Sequence, residues 1–407
     1  MKTIPDSLTP EQAWGTLCAC SRLPAEGKPL AEALDHCLAE DFLIPEDVPV
    51  AGRSFMDGYA VRSEDVLEVP SRLKLVGEVL MGEAVQQQIG QGETMAVPTG
   101  GFLPAGADAV VMQEDTTTDE DSVVVKKSVA PMENVQSRAE DFRQGDFLFS
   151  AGHLLRPQDL SAIATFGVAH VKVHRKPSLA IISTGNELFP FATRQAAFGK
   201  IRETNSLALA SAARTFHFTA RNLGIIPDDF QAQRLAMEEA LRQADVILVS
   251  GGSSVGARDF TMEVIQSFPE SKVHFHGLAV RPGNPTIFAS IGSRSVFGLP
   301  GQPVSSLVVF YLFVLPFLFH LSGEQVHSET FALSKFRTCE AKLCQTIKPL
   351  KFKTDVVRLR LTPAGAVPVL GKSASLSTLA SADGFTIVPP GDAPLEEGTI
   401  LNVILFP

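Results

Sequence analysis

The sequence predicts a multidomain protein of mixed α/β and β class, with a doubly wound α/β domain at its centre and β-rich domains before and after it. Three observations carry this. Between Ser178 and Leu299, short apolar runs alternate with helical stretches, the pattern of a parallel sheet covered by helices on both faces. Residues 47–130 have another texture, short β-like runs broken by Gly and Pro, and after Gly323 short alternating segments return. At 407 residues the chain is too long for a single core.

Taken in order, residues 10–40 read as helical, with Pro10 near a start and apolar residues at helical spacing through Ala31–Leu38. The β-rich stretch offers strands at Leu73–Leu80, Thr94–Val97, Ala109–Met112 and Ser122–Val125. Asn134–Gly152 is polar and turn-rich, Pro157–Phe166 reads as a helix and Ala169–Val173 as a strand. In the α/β region the strands are Leu179–Ile182, Thr219–Leu223, Val246–Val249 and Val296–Leu299, and the helices Asn205–Arg214 and Phe230–Arg242. Val356–Leu361 and Thr399–Leu405 belong to a small C-terminal β domain. Val304–Leu321 has the apolarity of a membrane span, but Pro316 interrupts it and basic flanks are missing. A helix buried in a domain or a dimer interface is expected instead.

Bulk properties exclude more than they assign. A net charge of -10 argues against a nucleic-acid groove. The five cysteines are odd in number and include no C-x-x-C pair, so neither a disulfide framework nor a zinc clip is expected. The polar opening MKTIPDSLTPEQA has no apolar core of a signal peptide, and the expected location is cytoplasmic, with no membrane association.

Ligands of an open α/β sheet sit beyond the carboxyl ends of its strands, and the most distinctive polar loops of this chain fall there. Val246–Val249 empties into Ser250-Gly251-Gly252-Ser253-Ser254-Val255-Gly256, where small residues let backbone N–H groups approach an anion closely. Asp259 follows, placed to hold a divalent cation bridging that anion. The alternative is a strand-to-helix turn needing glycine for geometry alone. Ser183-Thr184-Gly185-Asn186-Glu187 sets a carboxylate directly after a strand, for metal or proton transfer or as a plain N-cap of a following helix. Pro300-Gly301-Gln302-Pro303-Val304-Ser305 opens a helix whose N-terminus suits an anion, though it is also an ordinary helix start. Asp57 beside Gly58 is an acid in an apolar run or a β-turn. Arg281-Pro282-Gly283-Asn284-Pro285 sets a guanidinium in a rigid turn, suited to a tetrahedral oxyanion or merely part of a surface loop.

In this order the motifs resemble the MoeA and gephyrin E-domain family, the molybdenum insertases of molybdenum-cofactor biosynthesis, from about residue 10 to the C-terminus. S-x-M-D-G-Y-A-V-R stands at 54–62 and T-G-x-x-x-P-x-G-A-D-A-V-V at 99–111. S-T-G-(D/N)-E-L follows at 183–188, S-G-G-x-S-V-G-x-x-D at 250–259 and G-L-P-G-(N/Q)-P-V-S at 298–305. The late G-S-x-x-x-S-L pattern is echoed from Gly371 to Leu379. The resemblance implies four domains. They are an elongated, discontinuous dimerisation domain (1–46 and 140–176), an inserted β-rich domain (47–139), a molybdopterin-binding α/β domain (177–325) and a C-terminal β-barrel domain (326–407).

It further implies a homodimer with the active site between subunits, binding adenylylated molybdopterin with magnesium and placing molybdate on the dithiolene as AMP is released. Other cofactor-biosynthesis proteins are possible partners. Asp57, Thr99, Glu187 and Asp259 would be catalytic, with Glu187, Asp228 and Asp259 around the cation. Ser183, Thr184, Gly185, Ser250–Ser254, Gly256, Pro300, Gly301, Pro303 and Ser305 would hold the nucleotide and pterin. Arg281, Asn284, Arg358 and Ser373 would hold molybdate.

One departure bears on activity. The family usually carries Lys-Pro-Gly-Lys-Pro where this chain has Arg281-Pro282-Gly283-Asn284-Pro285, so Asn284 removes a positive charge. A lost charge-assisted contact costs about 1.5–3 kcal/mol of oxyanion affinity. Two readings follow: a working insertase using molybdate or tungstate, or a paralogue that binds the nucleotide or a partner protein without efficient insertion.

Overall fold

The computed structural model describes residues 7–83, 85–194, 198–251, 260–324 and 335–407. The chain divides into two compact units, one of residues 40–151 and 156–170, the other of 1–39, 152–155 and 171–407.

The smaller unit is built on a six-stranded sheet. Its strands are β1 (Gly58–Val61), β2 (Ser71–Glu78), β3 (Glu93–Val97), β4 (Ala109–Met112), β5 (Thr116–Asp119) and β6 (Ser122–Val125), in the order β4-β1-β3-β2-β6-β5. Period-two alternation gives each face its own core. Ala60, Met95, Val97 and Val110 pack on one side, and Val61, Leu73, Ala109, Val111 and Val125 on the other. Strands β1 and β3 are antiparallel, with Gly58 opposite Val97, so the approach to one and the exit from the other lie at the same sheet end. Gly58 has no alternative residue: a Cβ there would stand 2.0 Å from the Val111 carbonyl oxygen.

The larger unit contains the predicted α/β sheet. Its strands are β7 (Ser178–Thr184), β8 (Thr219–Ile226), β9 (Val246–Ser250), β10 (Ser271–His276), β11 (Ile287–Ile291) and β12 (Arg294–Leu299), in the order β8-β7-β9-β12-β11-β10. Helix α1 is Pro10–Cys18, α2 Asn205–Thr215, α3 Phe230–Gln243, α4 Thr261–Gln266, and α5 the long composite helix Pro303–Leu321. Leu179, Ile181, Val246, Leu248, Phe297 and Leu299 pack toward α2 and α5. Their neighbours Ala180, Ile182, Ile247, Val249 and Val296 pack toward α3 and α4. This two-sided burial is why the strands are continuous apolar runs.

The chain leaves β7 through α2 to β8 on one side, then crosses by α3 to β9 on the other. A topological switch point therefore opens between β7 and β9.

Two expectations need correction. The sheet is not wholly parallel: β11 runs antiparallel to both its neighbours, β10 and β12, and Gly292, at φ +56°, turns β11 straight back into β12. The helix expected over 10–40 is confined to Pro10–Cys18; Pro24 and Pro29 lack the N–H of a helical ladder, and Ala25–Pro29 is a strand. Ala33, Cys37 and Leu38 are nonetheless buried, which explains their apolarity without a helix.

Helix α5 is 94% buried, so its apolarity serves the core. It widens to a π-helix over Phe310–Val314 and continues into Leu315–Leu321, which contains Pro316. Trp14 of α1 stacks on Phe313 at 6.0 Å. The cysteines are free thiols, and burial pushes Cys37 up to about 12, far from a reactive thiolate.

The C-terminal sheet comprises β13 (Thr338–Lys342), β14 (Thr354–Thr362), β15 (Gly365–Pro368), β16 (Gly384–Val388) and β17 (Ile400–Leu405). The two-residue strand Val280–Arg281 joins its edge in parallel with β14, pairing Arg281 with Asp355. One face buries Leu343, Val357, Leu359, Val388 and Val403; the other lays Val356, Phe385 and Ile404 against the α5 core.

Buried Asp245 anchors the start of the α/β sheet. It accepts from both Arg175 terminal nitrogens (2.7 and 2.8 Å), from Ser178 N–H and Oγ (both 2.9 Å) and from Arg294 Nη1 (2.5 Å). Burial pushes its carboxyl up, but the Arg175 and Ser178 donors outweigh this and hold it at about 2. The native value lies below the unfolded one, so the stabilisation is complete above pH 4 and fades as pH falls from 4 toward 2. Asp245→Asn should cost about 3 kcal/mol at pH 7 by leaving two arginines around a neutral amide. Roughly 2 kcal/mol of that is expected to vanish at low pH, so the gap between the urea midpoints of mutant and parent should narrow as pH falls from 4 toward 2.

Candidate functional site

The carboxyl ends of β7, β9 and β12 finish level. Ser183 pairs with Ser250, and Ser250 with Leu299. Just beyond, Gly251 at φ +101° lies so close to β7 that a Cβ would meet the Thr184 carbonyl oxygen at 2.5 Å. A Cβ on Gly301 would stand 3.4 Å from Gly251 Cα. Glycine is therefore required where the first and second polar loops pack together. Asn205, opening α2, ties the arrangement: its Nδ2 donates to Ser250 Oγ and to the Gly301 carbonyl, each at 2.8 Å.

The structure thus brings together Ser183, Thr184, Gly185, Ser250, Gly251, Pro300 and Gly301 of the predicted set. Pro303 is the first residue of α5, and Ser305 is buried in its first turn. The Ser183 and Thr184 hydroxyls are buried without a hydrogen-bond partner among the described residues, directly at the strand end. Unspent donors there suit an acceptor-rich ligand. Gly252, Ser253, Ser254, Gly256 and Asp259 lie outside the described residues.

Glu187 does not cap a helix, since α2 begins only at Asn205; the chain instead makes a short parallel strand pair, Leu188–Pro190 with Ile201–Glu203. The Glu187 carboxylate folds over Gly185, 2.7 Å from where a Cβ would be. Asp228 is held against the same loop by reciprocal bonds, accepting from Asn186 N–H (3.1 Å) and donating its own N–H to Asn186 Oδ1 (3.2 Å). Asp228 is held by backbone and amide groups alone among the described residues, and oxygen donors of this kind fit a hard divalent cation. Among the described residues no three His, Cys, Asp or Glu side chains gather as a metal site.

A second cluster of the same unit centres on β14. Arg358 is 7% exposed; its Nη2 donates to the Val369 and Gly371 carbonyls (3.4 and 3.1 Å), and its Nε has no partner. Burial lowers its pKa, opposed by Asp355, while neighbouring Arg281 lowers it further. Arg281 donates through Nε to Asp355 Oδ1 at 3.0 Å and through Nη2 to Oδ2. Ser373 donates its hydroxyl to Gln302 Oε1, and its carbonyl accepts the Val304 N–H at 3.2 Å. Arg281, Arg358 and Ser373 therefore share one region, joined through Gln302 to Gly301 and the strand ends. Asn284 does not turn its amide there: Nδ2 donates to Ser7 Oγ (3.0 Å) and the Leu278 carbonyl (2.6 Å).

In the smaller unit, Asp57 and Thr99 meet at the shared end of β1 and β3. Asp57 Oδ1 accepts from the Thr99 N–H at 2.7 Å and hydroxyl at 3.0 Å. These bonds, the backbone one first, lower the Asp57 pKa and keep the exposed carboxylate ionised.

Sequence reading missed Asn205, Gln302 as a ligand of Ser373, and Asp355. Asp355 had a signal, an acid within a strand otherwise apolar around Arg358. Asn205 had none beyond its place at a helix start.

Residues 8–167 match the MoeA N-terminal region (domains I and II), residues 180–320 a probable molybdopterin-binding domain, and residues 340–406 the MoeA C-terminal region (domain IV). A molybdopterin molybdenumtransferase of Staphylococcus aureus (strain COL) is 30% identical over 395 residues, covering 95% of this chain and 92% of the relative. One from Haemophilus influenzae is 35% identical over 297 residues, covering 73% of this chain and 72% of the relative. The crystal structure of a molybdopterin biosynthesis MoeA protein from Pyrococcus horikoshii superposes with a TM-score of 0.83 at 32% identity, over 98% of this chain and 99% of that one.

Asn205→Ala and Asn205→Asp should each cost about 1–3 kcal/mol, because neither replacement can donate to Ser250 Oγ and Gly301. Hydrogen exchange at Gly251 should accelerate in both; unchanged exchange would show that Asn205 does not hold the loops together.

Proposed function

This chain belongs to the MoeA family, and from that premise we propose that it is a molybdopterin molybdenumtransferase, inserting molybdate into adenylylated molybdopterin with magnesium-dependent release of AMP. The observation that carries this reading is one continuous chain of contacts, from the strand-end loops at Ser250 and Gly251 through Gly301 and Gln302 to Ser373 and Arg358. Such a chain offers a phosphate-bearing ligand and a tetrahedral oxyanion neighbouring places in one site.

The residues have separable tasks. Ser183, Thr184 and the Ser250–Gly251 backbone would bind and orient the diphosphate, the two unspent hydroxyls donating to its oxygens. Arg358 would hold molybdate, because a buried guanidinium without a carboxylate partner of its own gains most from an arriving anion. Arg281 adds a second cation, and the Ser373 hydroxyl and its neighbouring backbone orient the oxyanion. Magnesium would be held by Glu187 and Asp228, with Asp259, and would neutralise negative charge on the diphosphate. Asp57, ionised and positioned by Thr99, would complete the site in a homodimer, facing the partner's α/β domain. The setting is cytoplasmic.

One observation favours a second reading. The Asn284 amide is spent on Ser7 and Leu278, so this turn offers Arg281 alone where the family usually has two cations. That favours nucleotide binding without efficient insertion.

Purified protein given adenylylated molybdopterin, magnesium and molybdate should release AMP and yield active cofactor, with Arg358→Ala requiring about 100-fold more molybdate for half-maximal insertion. AMP release without cofactor would select the second reading. Failure to bind the nucleotide would remove both.

A further inference from the structure

Among the described residues of the second cluster, the arginines Arg281 and Arg358 have one acid beside them, Asp355, and it is not idle. Asp355 is 4% exposed, and its two oxygens fill one edge of the Arg281 guanidinium. Arg281 stands opposite it in the strand pairing, with its own side chain 55% exposed. Arg358 is three residues further along β14, buried, with Nε unpartnered and only carbonyls on Nη2. The one carboxylate is thus taken by the half-exposed Arg281 alone, and the buried Arg358 beside it leaves the cluster a net single positive charge.

We propose that Asp355 is a resident counter-anion that competes with the incoming oxyanion for Arg281 and so sets the affinity and charge preference of the site. This rests on reading the Arg281–Arg358–Ser373 cluster as the oxyanion site. Asp355 acts through Arg281 and is a positioning residue. With it in place, a dianion meets two cations and one repelling carboxylate; without it, the dianion meets two unopposed cations. The repulsion scales with ligand charge, so the free-energy change on removing it is twice as large for a dianion as for a monoanion. A tenfold gain for one therefore corresponds to about a threefold gain for the other. A merely structural change would move both anions alike.

The test is calorimetric titration of the full chain with molybdate and with perrhenate, a tetrahedral monoanion of similar size. Asp355→Asn should bind molybdate about tenfold and perrhenate about threefold more tightly than the parent. Asp355→Glu, which keeps the charge, should restore the parent's preference. Asp355→Ala is the second variant, since a buried alanine needs no partner. A double-mutant cycle adds an independent readout. Because Asp355 acts through Arg281, Arg281→Gln should cost about tenfold in molybdate affinity in the parent, where the carboxylate already holds the guanidinium, and about 100-fold in the Asp355→Asn background.

Equal shifts for the two anions, weaker binding in the Asp355 variants, or loss of fold in both Asn and Ala would overturn the proposal. If the parent fails to bind molybdate, or Arg358→Ala leaves its affinity unchanged, the oxyanion-site reading itself falls. Weakening by Arg358→Ala together with equal shifts in the Asp355 variants would sink the counter-anion role alone.

Discussion

Three adjacent strands of the α/β sheet begin at one buried carboxylate. Asp245 immediately precedes β9, accepts from Ser178 at the head of β7 and pairs with Arg294 at the head of β12. The parallel register then carries this alignment along every strand to the other end, where Ser183, Ser250 and Leu299 stand side by side. A slip of one residue in any strand would turn its apolar set onto the wrong face and misalign the loops that follow. The clamp and the loops are at opposite sheet ends, yet the second inherits its geometry from the first.

What the level strand ends permit is close backbone packing without side chains. Gly251 lies against Thr184 because it carries no Cβ, Gly301 packs beside it, and Asn205 ties the two loops with two donated bonds. The next residue, Gln302, hands the contact to Ser373 in the turn that follows β15, and the Ser373 carbonyl accepts the Val304 N–H in the first turn of α5. Long buried α5 is rigid by virtue of its packing, so its start is a fixed point against which the anion cluster is built. The edge strand Val280–Arg281 does the same from another direction, bringing a residue of the α/β region into register with β14.

Much of this was legible in the sequence, and the reasons are specific. Strands β7, β9 and β12 announce themselves because burial on both faces forbids polar residues, and the glycines beyond them mark close approach. The Asp57–Thr99 pair was legible only through motif resemblance, since no local pattern ties residues 42 positions apart. The misreadings share a cause. Ala33, Cys37 and Leu38 are apolar because an irregular segment buries them, and burial without periodic structure mimics a short helix. Strands β10 and β11 lie in a stretch whose alternation is interrupted, with β10 half-buried, so the antiparallel turn-back left little trace. Asn205 was unreadable because its role depends on two loops 45 and 96 residues away.

The charge balance of the β14 cluster follows from the same geometry. A guanidinium as deeply buried as Arg358 is tolerable only if something offsets its desolvation. Two backbone carbonyls do part of that, and Asp355 contributes through space, since it acts to raise the pKa that burial lowers. Were Asp355 to pair with Arg358 directly, the cluster would close on itself and leave nothing for an anion. Strand alternation sends Asp355 and Arg358 to opposite faces of β14, and the pairing sets Arg281 opposite Asp355, so the exposed cation takes the carboxylate and the buried one keeps a free edge. A one-residue shift of the edge strand would move Arg281 off Asp355 and leave the carboxylate unpaired. The electrostatic character of the proposed oxyanion site is therefore fixed less by how many charged residues the chain carries than by which backbone position faces which.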